Sequence, residues 1–454
     1  TEYATFVPLT LVATLLPLLP WVRARAREFV AVFDQTLRGW VWLLLIALLV
    51  ILGTRLSGIA AGVALVVAQF FVSMLWWWLA RPLPDKTRHA TGLWVVLGVG
   101  VFALLVAGDY FTYEYAYVQD FGGNLAFLDR FIPPLLRGFR GLGLGVLLLA
   151  IFFAALPMTQ TLRRIPWGGE SRRGLIPLLL IVIAATAGAA YLARPRLIAP
   201  VQNVDTIRIG TYNIHSGANE FFYPDLEEIA RTIRVSGADV VMLQEVEAGR
   251  LTSFGVDQAL WLARRVGMDR RFYATNEGLH GLAVLSKVPI SVSDGVLFTS
   301  REQQTGALQV QITPSATITV TLYNTWLAPL TVRTGGEDLE AQEQDQARQF
   351  TELLAWVAAQ HPGGVLGRTV IGGTFHNVPD SPLAGQMRAA GFEDPFAGLP
   401  TELSATLWRS DVPHVRFDYL WLRNLGRLRA GVIDPDFPDA SDHRMAVAEV
   451  SLGG

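Results

Sequence analysis

Ile207-Arg208-Ile209-Gly210-Thr211-Tyr212-Asn213-Ile214 is the stretch at which this 454-residue chain changes character. Residues 207–212 read as a β-strand, and beyond them strand and helix patterns alternate. An amphipathic helix is expected over 225–236 and a buried strand over 240–243. Residues 317–323 alternate apolar and polar side chains, while 340–359 keep helical periodicity without a breaker. Residues 369–371, 417–422 and 445–450 read as further short strands. No internal repeat or low-complexity tract interrupts the pattern.

Upstream of this stretch the sequence is of another kind. Six apolar segments, residues 6–22, 39–54, 56–80, 90–108, 141–158 and 174–193, approach or reach the roughly 17 to 25 residues a helix needs to cross a bilayer. The second is short and close behind the first, so five spans is the alternative. Arg23, Arg25, Arg27 and Arg38 follow the first segment, Arg81, Lys86 and Arg88 the third, and Arg163, Arg164, Arg172 and Arg173 the fifth. Placing these clusters in the cytoplasm satisfies the positive-inside rule with six spans and leaves the C-terminal half on the extracytoplasmic side. Asp109, Glu114, Asp120 and Asp129 then fall in an outer loop, residues 109–140, which reads as a re-entrant segment or a protein contact surface. The six segments hold no Asp, Glu, Lys, Arg or His, which argues against an ion or proton pathway. His89 is the one histidine before residue 200 and lies in a loop, so no haem ligand pair falls within the bilayer. Trp40, Trp42, Trp76, Trp77 and Trp78 are expected as anchors at the lipid interface. The expected organisation is a transmembrane helical bundle over residues 1–193, a semi-rigid linker over 194–206 with Pro195 and Pro200, and a second domain over 207–454.

Charge follows the same division. Residues 1–193 hold fifteen Lys and Arg against nine acidic residues, and the remainder holds twenty-two against thirty, so the net charge of −2 hides a basic half and an acidic half. An acidic domain with a single lysine, Lys287, lacks the basic surface that nonspecific nucleic-acid binding requires. The absence of cysteine removes disulfides, thiolate metal sites and iron–sulfur ligation by this chain.

Polar motifs close several of the expected strands in a definite order. Thr211-Tyr212-Asn213-Ile214 ends the first and Leu243-Gln244-Glu245-Val246 the second. Gly281 to Lys287, Asn324-Thr325-Trp326-Leu327, Gly372-Gly373-Thr374-Phe375-His376, Arg416-Phe417-Asp418-Tyr419 and Ser441-Asp442-His443-Arg444 follow. Seven motifs in this order resemble the endonuclease/exonuclease/phosphatase family over essentially all of residues 207–453. The resemblance implies a four-layer sandwich in the α+β class, two mixed sheets face to face with helices outside. It also implies in-line attack of water on a phosphodiester, which needs a divalent cation, an oriented water and stabilisation of the crowded phosphorane. Magnesium accepts hard oxygen ligands and keeps several waters, so one or two carboxylates suffice. By resemblance Glu245 is the principal metal ligand, with Asn213 and Asp442 near it, and His443 contacts the phosphate, oriented by Asp418.

Three family positions depart from the pattern. Trp326 stands in place of a His, Thr374 in place of an Asp and His376 in place of an Asn. The Asp activates or orients the water, the Asn positions it, and the His serves proton transfer. A threonine is no base near neutral pH and an indole only donates, so the expected loss is roughly 10²- to 10⁴-fold for each general acid or base. Rescue would require His376 to act as base or Asn377 to slide one position into the Asn role. Otherwise His376 is a hydrogen-bonded loop histidine, and Asn213, Glu245, Asp418 and His443 form a buried polar network.

The expectation is therefore a catalytically degenerate phosphoesterase-like domain, a pseudoenzyme with no cofactor, anchored in the membrane. Its expected role is that of a structural or docking subunit of a larger membrane assembly, with an energy-transducing or transport complex as one setting. Membrane lipids and protein partners are the expected contacts, and nucleic acid is not. Two alternatives stand beside it: a membrane-tethered magnesium-dependent phosphodiesterase acting on lipid headgroups, with Glu245 holding the ion, and an extracytoplasmic ligand-binding sensor using the old cleft.

Overall fold

The computed structural model describes residues 2–31, 36–56, 58–79, 96–101, 103–104, 123–128, 148–149, 175–193, 198–199, 204–250, 253–276, 279–300, 303–330, 336–433 and 440–453. Two compact units divide the chain, Thr1–Phe111 with Leu142–Arg194 and Thr112–Gly141 with Pro195–Gly454.

Within the first unit, α1 (Glu2–Leu15), α3 (Thr36–Arg55), α4 (Gly58–Leu79) and α5 (Leu175–Ala193) are apolar helices, while α2 (Pro20–Ala31) carries Arg23, Arg25, Arg27 and Glu28. α3 and α4 pack through Leu43, Ile46, Val50, Ala68 and Met74. The expectation of a transmembrane bundle of six spans, or five, finds no support in these helices. Among the described residues no single helix is long and apolar enough to cross a membrane, and the stretch expected as the first span bends by 87° between Pro8–Leu18 and Pro20–Ala26. Pro17 and Pro20 cannot donate to a helical ladder, which accounts for the break there. Most of the fourth and fifth expected segments, most of loop 109–140 and the side chains of Trp76, Trp77 and Trp78 lie outside the described residues. Trp42 is not the lipid anchor its sequence position suggests. It is fully buried and packs edge-on against Phe71 at 4.7 Å.

The second unit is a sandwich of two mixed sheets. β1 (Thr206–Asn213), β2 (Val240–Glu247), β3 (Asp269–Asn276), β4 (His280–Ser286), β5 (Ile290–Leu297), β6 (Gly306–Ser315), β7 (Ile318–Trp326), β8 (Thr369–Thr374), β9 (Asp418–Arg423), β10 (Gly426–Val432) and β11 (Ala446–Ser451) supply the strands. They assemble in the orders β10-β11-β1-β2-β4-β3 and β5-β6-β7-β8-β9. Only β1 with β2 and β7 with β8 pair in parallel among these neighbours. Between the sheets lie Ile207, Ile209, Val240, Met242, Leu308, Val310, Leu322, Val370 and Leu420. The outer face of the first sheet is covered by α6 (Leu226–Ser236) and α7 (Gln258–Val266), through Ile229, Ile233 and Leu262. α8 (Gly336–Ala359) and α9 (Pro382–Ala389) cover the second, through Phe350, Leu353 and Met387.

Local chemistry sets the helix ends. Asp225 caps α6 by accepting from the Glu228 N–H, Asp257 caps α7 by accepting from Leu260, and Gly237 and Gly267 close the two helices in the left-handed conformation. The inward strand positions keep a period of two: 207, 209, 211, 213 on β1 and 320, 322, 324, 326 on β7. Apolar pairs fill the middle of the sandwich, and polar residues take over on the same inner face as β1, β2, β7 and β8 reach their C-terminal ends. β9 and β11 begin at that end because they run antiparallel to β8 and β1.

Candidate active site

Glu245 departs from strand geometry, and that departure shapes the site. Its φ is +54°, inside a register shift of β2 against β4 between Leu243 and Val246. The bulge turns its carboxylate toward Asn213 and Trp326. Oε1 of Glu245 accepts from the Asn213 amide at 2.8 Å and from the Trp326 indole at 3.0 Å. The Asn213 amide also donates to the Thr374 hydroxyl at 3.2 Å, and that hydroxyl donates to Oδ1 of Asp418 at 2.6 Å. Oδ2 of Asp418 accepts from Nδ1 of His443 at 2.6 Å. One continuous chain of hydrogen bonds therefore joins Trp326, Glu245, Asn213, Thr374, Asp418 and His443.

The two ends of that chain differ in charge. Burial works against the imidazolium of His443, but the Asp418 carboxylate outweighs it and lifts the group from its ordinary 6.5 to about 9. Burial likewise opposes charge on Asp418, yet the His443 cation and the Thr374 hydroxyl hold it below the usual carboxylate range. The pair is an ion pair at neutral pH.

Ser441 fixes the loop that carries His443. Its hydroxyl donates to the Asn213 carbonyl at 2.9 Å and accepts from the His443 N–H at 3.1 Å. Oδ1 of Asp442 is buried and makes no hydrogen bond, with Nδ1 of His215 at 3.7 Å and Nε2 of His443 at 4.0 Å.

His376 stands beside Trp326 at the edge of this network. Its Nδ1–H donates to the Leu327 carbonyl at 2.7 Å, its ring meets Trp326 edge-on at 5.3 Å, and burial keeps its pKa below the ordinary value. Asn377 does not slide into the site. Its amide is engaged with Gln346 and its carbonyl accepts from the Tyr419 hydroxyl. The structure thus brings Asn213, Glu245, Trp326, Thr374, Asp418 and His443 into one network and leaves Asn377 outside it.

Some supporting residues escape a reading by motif. Gln244 donates to Asn324 at 2.7 Å, and Asn324 donates in turn to the Leu243 and Ala283 carbonyls, tying the two sheets together beneath the site. Thr406 accepts from the Phe417 and Asp418 N–H groups at 3.0 Å. Gln244 and Asn324 were visible as motif members, whereas nothing in the sequence flags Thr406.

A divalent ion suits this donor set poorly. The Glu245 oxygen that faces the network already accepts two N–H donors, and the indole beside it carries bulk without a lone pair. Among the described residues no three His, Cys, Asp or Glu side chains are grouped to hold a metal.

The chain is similar to an endonuclease/exonuclease/phosphatase from Beutenbergia cavernae, at 21% identity over 55% of this chain and 72% of that one, with a TM-score of 0.43. It is similar to the human Nocturnin catalytic domain, at 19% identity over 55% and 96% with a TM-score of 0.42. A functionally unknown conserved protein of Enterococcus faecalis is similar at 17% identity, over 54% and 99%, with a TM-score of 0.42. No curated protein sequence matches. The model of the Endonuclease/Exonuclease/phosphatase family matches residues 210–443, more than half of the chain and all of the motif-bearing strands. The chain belongs to that family.

Proposed function

We propose that the second unit is a phosphoesterase fold whose hydrolytic chemistry has given way to an internal polar network, and that it serves as a structural or docking subunit of a membrane assembly, anchored by the apolar helices of the first unit. The observation that carries this reading is the pair of N–H donors, from Trp326 and Asn213, on one oxygen of Glu245. Thr374 adds to the case, because its hydroxyl is spent on Asp418 and cannot take a proton from water near neutral pH.

The test is direct. Full-length protein in detergent, supplied with magnesium or manganese, is expected to turn over neither bis(p-nitrophenyl) phosphate nor inositol phosphates. Turnover above background that disappears in Glu245→Ala would restore the phosphodiesterase reading. Co-purification in mild detergent tests the docking role, which predicts a stable assembly rather than a lone chain.

A further inference from the structure

Three loops gather where β1 and β2 end, beside the site, and they expose aromatic rings in a way the rest of the unit does not require. Phe221, Phe222 and Tyr223 are 62%, 74% and 69% exposed, and Phe254 in the next loop is 79% exposed. Phe222 and Phe254 are also held at φ of +60° and +57°, a region that bulky side chains avoid. An exposed ring on a strained backbone is costly twice, so the arrangement points to a surface that covers it.

The tips are rigid. Oδ1 of Asn219 accepts from the Phe221 and Tyr223 N–H groups at 3.0 Å each, and the Asn219 N–H donates to the Tyr223 carbonyl at 3.0 Å. His215 backs the ring of Phe222 at 4.8 Å. Buried Gln258 joins the two loop bases, donating to the Ser216 carbonyl and accepting from the Glu247 N–H. Glu220 accepts from the N–H and hydroxyl of Ser410, which ties in the third loop. The backbone that carries Phe221, Phe222 and Tyr223 is therefore ordered, so less loop entropy remains to be lost on docking.

We propose that Phe221, Phe222, Tyr223 and Phe254 dock this unit on a zwitterionic lipid surface. The proposal rests on the membrane-anchor reading above. Twelve residues separate the end of α5 from the start of β1, a covalent reach of roughly 40 Å at no more than ~3.6 Å each, so where a bilayer holds that helix the unit meets it at high effective concentration. Phe and Tyr on fixed tips are suited to the headgroup level, where amphipathic and apolar rings settle. Beside the tips Asp411 is paired with Arg409 at 2.8 Å and Glu220 keeps its negative charge while accepting from Ser410, so these side chains leave no cationic surplus that would favour an anionic lipid.

The chain has no cysteine, so a single introduced thiol is a unique label site. Full-length Phe222→Cys, Phe254→Cys, Val365→Cys and Leu48→Cys variants would be nitroxide-labelled and reconstituted in phosphatidylcholine nanodiscs. Val365 is exposed near the opposite ends of the strands, and Leu48 lies on α3 with half of its surface exposed. Collision with oxygen relative to a water-soluble nickel chelate is expected to be severalfold higher at 222 and 254 than at 365, and Phe221→Ser with Phe222→Ser is expected to return the label at 254 to water. Labels at 222 and 254 that match the one at 365, while Leu48 reports lipid, overturn the docking and leave the anchor standing. A water-exposed label at 48 overturns both.

Discussion

Trp326 donates to Glu245 at 3.0 Å from a position that is nine-tenths buried, so its N–H and its bulk can be tested separately. Trp326→Phe keeps most of the ring and removes the donor. A lost hydrogen bond to a charged acceptor is worth about 1.5–3 kcal/mol, and a urea midpoint lowered to that extent with an unchanged slope is expected. A neutral result would mean that the indole fills space only. His443 gives a pH signature with a definite sign. Its folded pKa, about 9, lies above the ordinary 6.5, so its stabilisation is complete below pH 6.5 and is lost as pH rises through 9. His280 is displaced the other way: burial pushes it to about 4, with Glu245 pulling upward and Arg250 downward. Its neutral form is the folded form, so that contribution is complete above 6.5 and fades as pH falls toward 4. Calorimetric melts across this range are expected to show greatest stability near pH 6.5. In His443→Gln the alkaline limb should flatten, on top of a loss of roughly 3–5 kcal/mol from leaving Asp418 buried without its partner.

Strand ends carry the site, and strand geometry sets how much substitution they tolerate. Gly373 sits at φ +133° between Gly372 and Thr374, and a Cβ there would lie 1.9 Å from the Thr325 carbonyl oxygen. Gly373→Ala is expected to cost at least about 3 kcal/mol and to loosen the β7–β8 pairing that positions Trp326 against Thr374, read as faster amide exchange at Leu327, whose N–H donates to the Thr374 carbonyl. Asp225→Ala, which removes only the cap of α6, is expected to cost about 1 kcal/mol and to leave that exchange unchanged. The same geometry explains what the sequence revealed. Alternation over 317–323 located β7 and amphipathic periodicity over 225–236 located α6, because apolar period is a local signal. The strands were nonetheless read short: β2 runs on to Glu247 and β8 to Thr374, through polar residues that face inward only because the opposite sheet supplies partners. β5 and β10 carry no buried residue and gave no apolar pattern to follow. Trp42 was misplaced for a related reason, since an apolar helix reads alike toward lipid and toward a neighbouring helix.

At the scale of the whole molecule, what was legible was a difference between two halves and a set of motifs with three members altered; what was not legible was that the altered members bond to the retained ones. Thr374 and Trp326 are not gaps in a site, because each satisfies a carboxylate that a reaction would have used. If that is how the chemistry was removed, restoring the family residues should restore the ion. In the wild-type chain, manganese up to millimolar concentration is expected to leave the melting temperature unmoved, since Oε1 of Glu245 is taken. The triple variant Trp326→His, Thr374→Asp, His376→Asn relieves that oxygen of the indole donor and supplies a second carboxylate and an imidazole on the inner face of β7 and β8. It is expected to gain a saturable manganese-dependent rise, worth about 2.7 kcal/mol at a hundredfold excess over the dissociation constant, and to lose it on adding Glu245→Gln. A wild-type rise that vanishes in Glu245→Gln would instead show that the indole yields to a cation, and the network would then be the resting state of a working phosphoesterase.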